Sequence, residues 1–476
     1  MIVQYTDAQI YQPDGTFISS IFVEKGQIVS PQGPPDEIHS LAGKYIFPTF
    51  EDAHNHPSGM CRANYHLNLE MAKTQDSLAV LLAPQIKKNS FVIGVRWNEN
   101  QGGSLTRAFL DDISPEVPLV VVEQSYHRAY LNSSAQEYFQ LPSGFPGNKG
   151  SGILEEQAWI EWAWPRLHTD VLLFQQSLLE FQQLLLSHGI GAVHDLFLGT
   201  RAHLTIYQEL LSRNEWKVNL TGYLSPHLLP EVRREQFPFL KGVKLFLDGS
   251  FGAYTACLKS PYLNRPEYSG YLWWDLAELQ KRIRLSVQQG FFQIALHTIG
   301  DGAVEQAIEL IRWATQEFGC DLQFRLEHAS LLDLEQLEQL IHFQVAFCLQ
   351  PNFIPGDCEF QDRLGDRTQQ LLPLNRYVRS GAKIGFGSDH LPTDPWYGIR
   401  ATTEAPLTQQ RLSWTQAIHY YTLGSASLVQ QEHLRGSLVP GKEANFFITS
   451  QNPLTQKTAP EEVLLQGHSV FKKSPY

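Results

Sequence analysis

The chain has 476 residues, 43% of them hydrophobic and 12% aromatic, which is enough apolar surface for a substantial core and argues against global disorder. Its formal net charge of -12 weighs against nucleic acid or an anionic membrane as the main partner and favours a soluble protein, for which a small-molecule substrate is the expected partner. The length suits one large domain plus a smaller one.

The start, Met1-Ile2-Val3-Gln4-Tyr5-Thr6, lacks a basic segment followed by a long apolar one, so neither a signal peptide nor a bilayer span is expected. Residues 1–48 read as short strands with turns: 18–23 alternate, and Pro13-Asp14-Gly15 and the prolines of 31–35 mark reversals. From 434 to 476 the pattern is similar. Gly436 to Lys442 forms a turn before Asn445-Phe446-Phe447-Ile448-Thr449, and the two ends are expected to pair into one small β domain.

Between them, over 49–433, strands and helices alternate, the pattern of a parallel sheet. Eight apolar runs are candidate barrel strands: 45–50, 191–194, 219–223, 242–247, 293–296, 324–327, 345–349 and 383–386. Among the intervening helices, 302–318 places Val304, Ala307, Ile308, Leu310 and Ile311 on one stripe with Glu305, Glu309 and Arg312 outside it. Ser413-Trp414-Thr415-Gln416 predicts a capping box opening another helix. The gap after the first run is too long for one crossover, so residues from about 60 to 170 are expected to form an insertion, with strand-like 91–95 and 119–123, capping one end of the barrel. The fold class is therefore α/β: a (β/α)8 barrel with a composite β-sandwich domain from both ends and an insertion after the first barrel strand.

His54-Asn55-His56, Lys244, His297, His328 and Asp389 each fall at or just past the end of one of these runs. A parallel barrel collects those ends on its active-site face. Four imidazoles, an amine and a carboxylate there suit one or two divalent metals, zinc being the first expectation. Strand parity turns His54 and His56 to one side, close enough to share an ion, with Asp52 on the same face to orient an imidazole. Lys244 sits within an apolar strand, where an ammonium must be paired, neutralised or modified. It is either paired with a buried carboxylate such as Asp248, unmodified beside a metal, or carboxylated on Nζ to a carbamate able to bridge two metals; carboxylation is the preferred expectation. Parity places Phe324 and Leu326 with His328 and sends Arg325 and Glu327 outward as a salt bridge against the helices. Gly385 and Gly387 share the face of Asp389 and clear space for it. Asp389 could touch the metal, accept a proton from a bound water and pass it to the leaving group. By the same parity His390 points away.

With these residues in place, the chain resembles the amidohydrolase superfamily, and within it the YtcJ-like branch (amidohydrolase family 3) related to N-substituted formamide deformylases. The matching segments run over nearly the whole length: Pro48 to His56, Arg96-Trp97-Asn98-Glu99, His127 through Asn132-Ser133, Val243 to Ser250, Leu296 to Asp301, Arg325 to Ala329, and Gly387-Ser388-Asp389 with Asp394-Pro395-Trp396. The resemblance implies a metal-dependent barrel hydrolase acting on C–N bonds other than peptide bonds. It puts His54 and His56 on one metal, His297 and His328 on the other, Lys244 between them, and Asp389 as ligand and general acid/base. Departures are Thr49 for a usual glycine, Glu51 for a common apolar residue, and Asn445 for a usual aspartate; Glu51 is expected to face away from the site.

Trp97, His127, Tyr254, Phe353 and Trp396 are the candidates to line the substrate pocket, and His194 ends the second strand either in the pocket or hydrogen-bonded within the barrel. The turn Gly436 to Lys442 is not a phosphate loop, because Glu443 stands where Ser or Thr should bind magnesium. HExxH and GxSxG are both missing from the sequence. Five cysteines, Cys61, Cys257, Cys320, Cys348 and Cys358, without a CxxC pair, are expected to be free thiols in a reducing cytoplasm. The leading reading is an amidohydrolase. The alternatives are a non-catalytic small-molecule binder or regulator on the same barrel, or a metal-dependent deaminase or isomerase. The chain is compatible with a homodimer.

Overall fold

The computed structural model describes residues 1–31, 33–64, 66–142 and 144–473. Eight parallel strands line up in sequence order: β1 (Phe50–Asn55), β2 (Ile190–Leu198), β3 (Asn219–Leu224), β4 (Leu240–Phe246), β5 (Gln293–Thr298), β6 (Gln323–His328), β7 (Ala346–Leu349) and β8 (Lys383–Phe386). The ends of this sheet meet, since the Asp389 N–H donates to the His54 carbonyl at 2.7 Å and the Ser388 N–H to the Asp52 carboxylate at 2.8 Å. The result is a nearly closed barrel.

The first strand corrects the expectation for 45–50. Tyr45–Pro48 belongs to the small domain, pairing antiparallel with Phe446–Thr449 and parallel with Gln9 and Ile10. The barrel strand starts only at Phe50, and the chain steps between the two sheets at Pro48, which has no N–H for a continuing ladder. The apolar content of 45–48 mimicked a barrel strand. The actual β1 is buried throughout yet carries Glu51, Asp52, His54 and Asn55.

Helices pack around the barrel through one continuous apolar core. Asp301–Phe318 buries Ala303, Val304, Ala307, Ile308, Leu310, Ile311 and Ala314 and exposes Glu305, Glu309 and Arg312. Ser413 caps Trp414–Tyr420 in a capping box with Gln416. The helix Leu423–Leu428 closes the bottom: Leu428 packs with Ala53, Ala346 and Cys348, and its carbonyl accepts from Gln293 Nε2 at 2.9 Å.

The small domain is one eight-stranded, mostly antiparallel sheet built from both ends of the chain. It curls until the Ile28 N–H reaches the Lys442 carbonyl (2.7 Å), around a core that includes Tyr5, Ile10, Ile21, Val23, Ile46, Phe446 and Ile448. The insertion between β1 and β2 has its own five-stranded sheet, ordered Ile153–Glu155, Arg128–Leu131, Leu119–Glu123, Val92–Trp97 and Leu67–Asn68. Both faces are covered: Val120 and Val122 enter one cluster, Leu119 and Val121 the other. That two-sided burial explains why 119–122 is uniformly apolar. Among the described residues, no helix is long and apolar enough to cross a membrane, and all five cysteines are free.

Candidate metal centre and active site

Two hydrogen-bonded knots fix the mouth of the barrel. At the β1–β8 seam, the Asp52 carboxylate accepts from the backbone N–H groups of His54 (3.3 Å) and Ser388 (2.8 Å), while Asn55 Nδ2 donates to Asp52 (2.8 Å), Ser388 Oγ (3.0 Å) and Thr393 Oγ1 (3.2 Å). Asp52 thus holds backbone rather than an imidazole, contrary to expectation. Gly387 is required here, since a Cβ would lie 2.3 Å from the His54 nitrogen. At the β4–β5 side, Asp248 accepts from the N–H groups of Cys257 (3.0 Å), Ile299 (3.0 Å) and Gly300 (2.8 Å). These bonds commit Asp248 to the loops, so it is not the partner of Lys244.

Between the knots stand the titratable groups. His56 Nε2 lies 3.1 Å and His54 Nε2 3.7 Å from Asp389 Oδ1. Ring centroids are 4.8 Å apart for His54 and His328, and 4.6 Å for His328 and His297. One ligand atom each from His54, His328 and Asp389 falls within 4.8 Å of the others. His297 Nε2 bonds the Gly249 carbonyl at 3.0 Å, leaving Nδ1 as its free nitrogen. The Lys244 amine and His328 Nδ1 are buried without any hydrogen-bond partner, and the amine lies over the Phe246 ring at 5.0 Å.

Burial drives the His54 imidazole down to about 4 and those of His297 and His328 well below their usual range, so all three are neutral and keep a lone pair. Burial also lowers the Lys244 amine to about 8, against the pull of Glu327 and Asp389. Burial raises Asp389, but His54, His390 and His56 more than offset it and hold the carboxyl well below the usual carboxylate range. Neutral imidazoles, an anionic carboxylate and orphaned buried polar atoms facing one space are what a divalent cation requires. His54, His56, His297, His328, Asp389 and Lys244 could hold it.

Parity misled at the ends of two strands, β6 and β8. His328 and Ala329 have φ of 69° and 41°, and Asp389 and His390 have 48° and 55°. This left-handed backbone reverses the alternation at the strand ends, a strain that active sites commonly carry. Leu326 therefore packs outward in the main core, while Arg325 and Glu327 point into the barrel rather than at the helices: Arg325 reaches the Ala53 carbonyl, His194 Nδ1 and the Tyr223 hydroxyl, all on non-adjacent strands. His390 turns towards the cavity, its Nδ1 3.8 Å from Asp389 Oδ1.

The site opens into a cavity of about 260 Å3. His127 and Phe353 line it; Phe353 stacks over His328 with centroids 6.3 Å apart. Trp97 does not: it is fully buried in the insertion core and donates to the Gly103 carbonyl at 3.1 Å. Trp396 packs edge-on against Phe47 and Phe50 where the small domain meets the barrel. Tyr254 lies under the Arg265 and Arg363 guanidinium groups at 3.6 and 4.3 Å and fastens the loop after β4. His194 bonds Glu51 and Arg325 inside the barrel.

The remaining walls were not singled out from the sequence: Tyr126, Trp159, Ile160, Trp164, Phe197 and Phe246. Phe246 was readable, two residues past Lys244 on the same face. Phe197 was not, because a register irregularity between Asp195 and Leu198 re-aims it. Trp159 and Ile160 come from a π-helical turn, Ala158–Ala163, and Trp164 follows it directly. From the insertion, Glu156 is also buried; its Oε2 holds His127 Nδ1 at 2.7 Å and its Oε1 accepts from Thr255 Oγ1 at 2.6 Å. Gly249 permits this docking, as a Cβ there would lie 2.3 Å from Glu156 Oε1.

A model of the Amidohydrolase family matches residues 37–471. The chain belongs to the amidohydrolase family. This amidohydrolase is similar to the YtcJ protein of Bacillus subtilis (strain 168), 28% identical with 93% of this chain and 92% of that one covered. It is 19% identical to an N-substituted formamide deformylase of Arthrobacter pascens, covering 88% of this chain and 86% of the relative. The crystal structure of an uncharacterized metal-dependent hydrolase from Pyrococcus horikoshii OT3 superposes with a TM-score of 0.78 at 26% identity, over 99% of this chain and 100% of that one.

Proposed function

We propose that the amidohydrolase cleaves the C–N bond of a small amide, formamide or cyclic amide bearing a bulky apolar substituent, at a centre of one or two zinc ions. The observation that carries this reading is the Lys244 amine, fully buried among imidazoles with no partner. Attack of the neutral amine on CO2, with release of one proton to solvent, would give an anionic carbamate; that group, together with His54, His56, His297, His328 and Asp389, would hold the divalent ions. When bound, such ions supply Lewis acidity, polarising a carbonyl and bringing the pKa of water towards about 7.

The chain's own groups do the rest. Asp389 takes a proton from the attacking water and returns it to the departing nitrogen. His127 presents Nε2, which has no hydrogen-bond partner among the described residues, while Glu156 grips Nδ1. Burial works against protonation of His127, but the Glu156 charge more than offsets it and raises the imidazole's pKa, suiting it to donate to the substrate oxygen as charge develops. The aromatic walls exclude water and seat the apolar substituent. The likeness to a formamide deformylase supports a C–N bond as the target.

The test is metal analysis of the purified chain together with amine release from a panel of N-formyl and N-acetyl arylalkylamines. We expect bound zinc and turnover that disappears in Lys244→Ala and Asp389→Asn. Full turnover in both variants overturns the assignment.

A further inference from the structure

Below the mouth, a line of charged and polar side chains that the hydrolytic reading does not use runs through the barrel interior and ends on His54. Arg435 Nε and Nη2 bond the two Glu51 carboxylate oxygens at 2.8 and 2.9 Å. Glu51 Oε1 is 2.8 Å from His194 Nε2, and His194 Nδ1 is 3.1 Å from Arg325 Nη1. Arg325 grips Glu327 through Nε and Nη2, and Glu327 Oε2 is 2.6 Å from His54 Nδ1. His54, Glu51, His194, Arg325 and Glu327 are all at most 2% exposed.

The direction of every bond follows from two facts: a guanidinium has no lone pair to accept with, and a carboxylate has no proton to donate. Arg325 must therefore donate to His194 Nδ1, which puts the His194 proton on Nε2, facing Glu51. Arg325 also donates to Glu327, which stays anionic and must receive a proton from His54 Nδ1. That leaves the His54 Nε2 lone pair turned to Asp389 and the metal pocket. Two acids and two bases alternate along the line, so its net charge is zero.

We propose that Glu327 is the positioning residue of the metal centre. It locks His54 in the tautomer that ligates through Nε2, and the line through Arg325, His194 and Glu51 to Arg435 ties that tautomer to the segment leading into the small domain. Glu51 and Arg435 lie 384 residues apart in sequence. The inference rests on His54 being a ligand, as proposed above.

Zinc binding to the metal-free full chain, measured by competition with a chromogenic chelator, tests it. Glu327→Gln is expected to weaken zinc binding about 10- to 100-fold, and Arg435→Met, at the far end, severalfold. Tyr223→Phe removes another partner of Arg325 without touching Glu327. It is expected to lower thermal stability and leave zinc affinity unchanged, a split that a merely structural role would not give. Wild-type affinity in a folded Glu327→Gln protein, or equal affinity losses in Glu327→Gln and Tyr223→Phe, overturns the proposal. Long-range 1H–15N spectra of the metal-free wild type need no variant: a proton on His54 Nδ1 supports the assignment, and one on Nε2 overturns it. A wild type that takes up no zinc yet shows the Nδ1 proton sinks the metal reading and leaves the tautomer lock standing.

Discussion

The two sides of the barrel mouth are built differently. On the β1–β8 side each candidate ligand is already held: His54 by Glu327, His56 and Asp389 by one another, and the backbone beneath them by Asp52 and Asn55. On the β4–β6 side Lys244 Nζ and His328 Nδ1 are buried with nothing to bond. A buried polar atom left unsatisfied costs about 1–3 kcal/mol. One half of the site is therefore stable by itself, and the other is completed only by what binds there. The contrast teaches that substitutions on the two sides should move stability and metal binding in opposite senses.

The largest effect should come from the self-sufficient side. Asp389→Asn is expected to lower turnover about 10²- to 10⁴-fold, measured by steady-state amine release. Next is the floor under that side. Glu51→Gln leaves the Arg435 charge without its counterion and should cost roughly 3–5 kcal/mol in denaturant unfolding. Burial pushes the Glu51 carboxyl up, but Arg435 and the His194 bond more than offset it and bring it from 4.5 down to about 2. A depressed folded-state pKa gives stability that is complete above the unfolded value and lost as pH falls through the folded one. The stability gap between wild type and Glu51→Gln should accordingly shrink as pH drops from about 4.5 to about 2; a constant gap across that window refutes the charged pair.

His127→Asn should reduce turnover about 10²- to 10³-fold while zinc content stays at the wild-type level. The smallest stability change belongs to the orphaned side. Lys244→Met swaps an unsatisfied amine for an apolar chain of similar shape, so the melting temperature of the metal-free protein should hold or rise while bound metal falls. A clear drop in that temperature would mean Lys244 has a partner in the folded chain and would erase the contrast.

Most of the architecture was readable from the sequence because barrel strands buried on both faces are mostly apolar, as 345–349 is throughout and 243–247 is apart from Lys244. The exception was β1. Its four polar residues serve the site and the floor, so the hydrophobic pattern pointed instead to 45–48. Side-chain direction failed where the backbone turns left-handed, at His328, Asp389 and His390. No period-two rule can foresee such a reversal. Glu327 and Arg325 were misassigned for the same reason, which hid the carboxylate that grips His54. In the insertion, Trp97 drew attention through its motif, but a sheet buried on both faces takes it into the core. Trp159 and Ile160 reach the cavity through a π-turn that leaves no periodic trace.

Arg435 has a consequence for how the molecule comes to be made. A ribosome delivers Glu51 early and its counterion 384 residues later. Throughout that interval the nascent barrel carries a carboxylate with no guanidinium to neutralise it, and the strand Tyr45–Pro48 lacks its neighbour Phe446–Thr449. Until Arg435 has been made, the floor beneath His54 has no guanidinium to close it, and a polypeptide stopped before that residue is expected to leave the strand Phe50–Asn55 with an unneutralised Glu51.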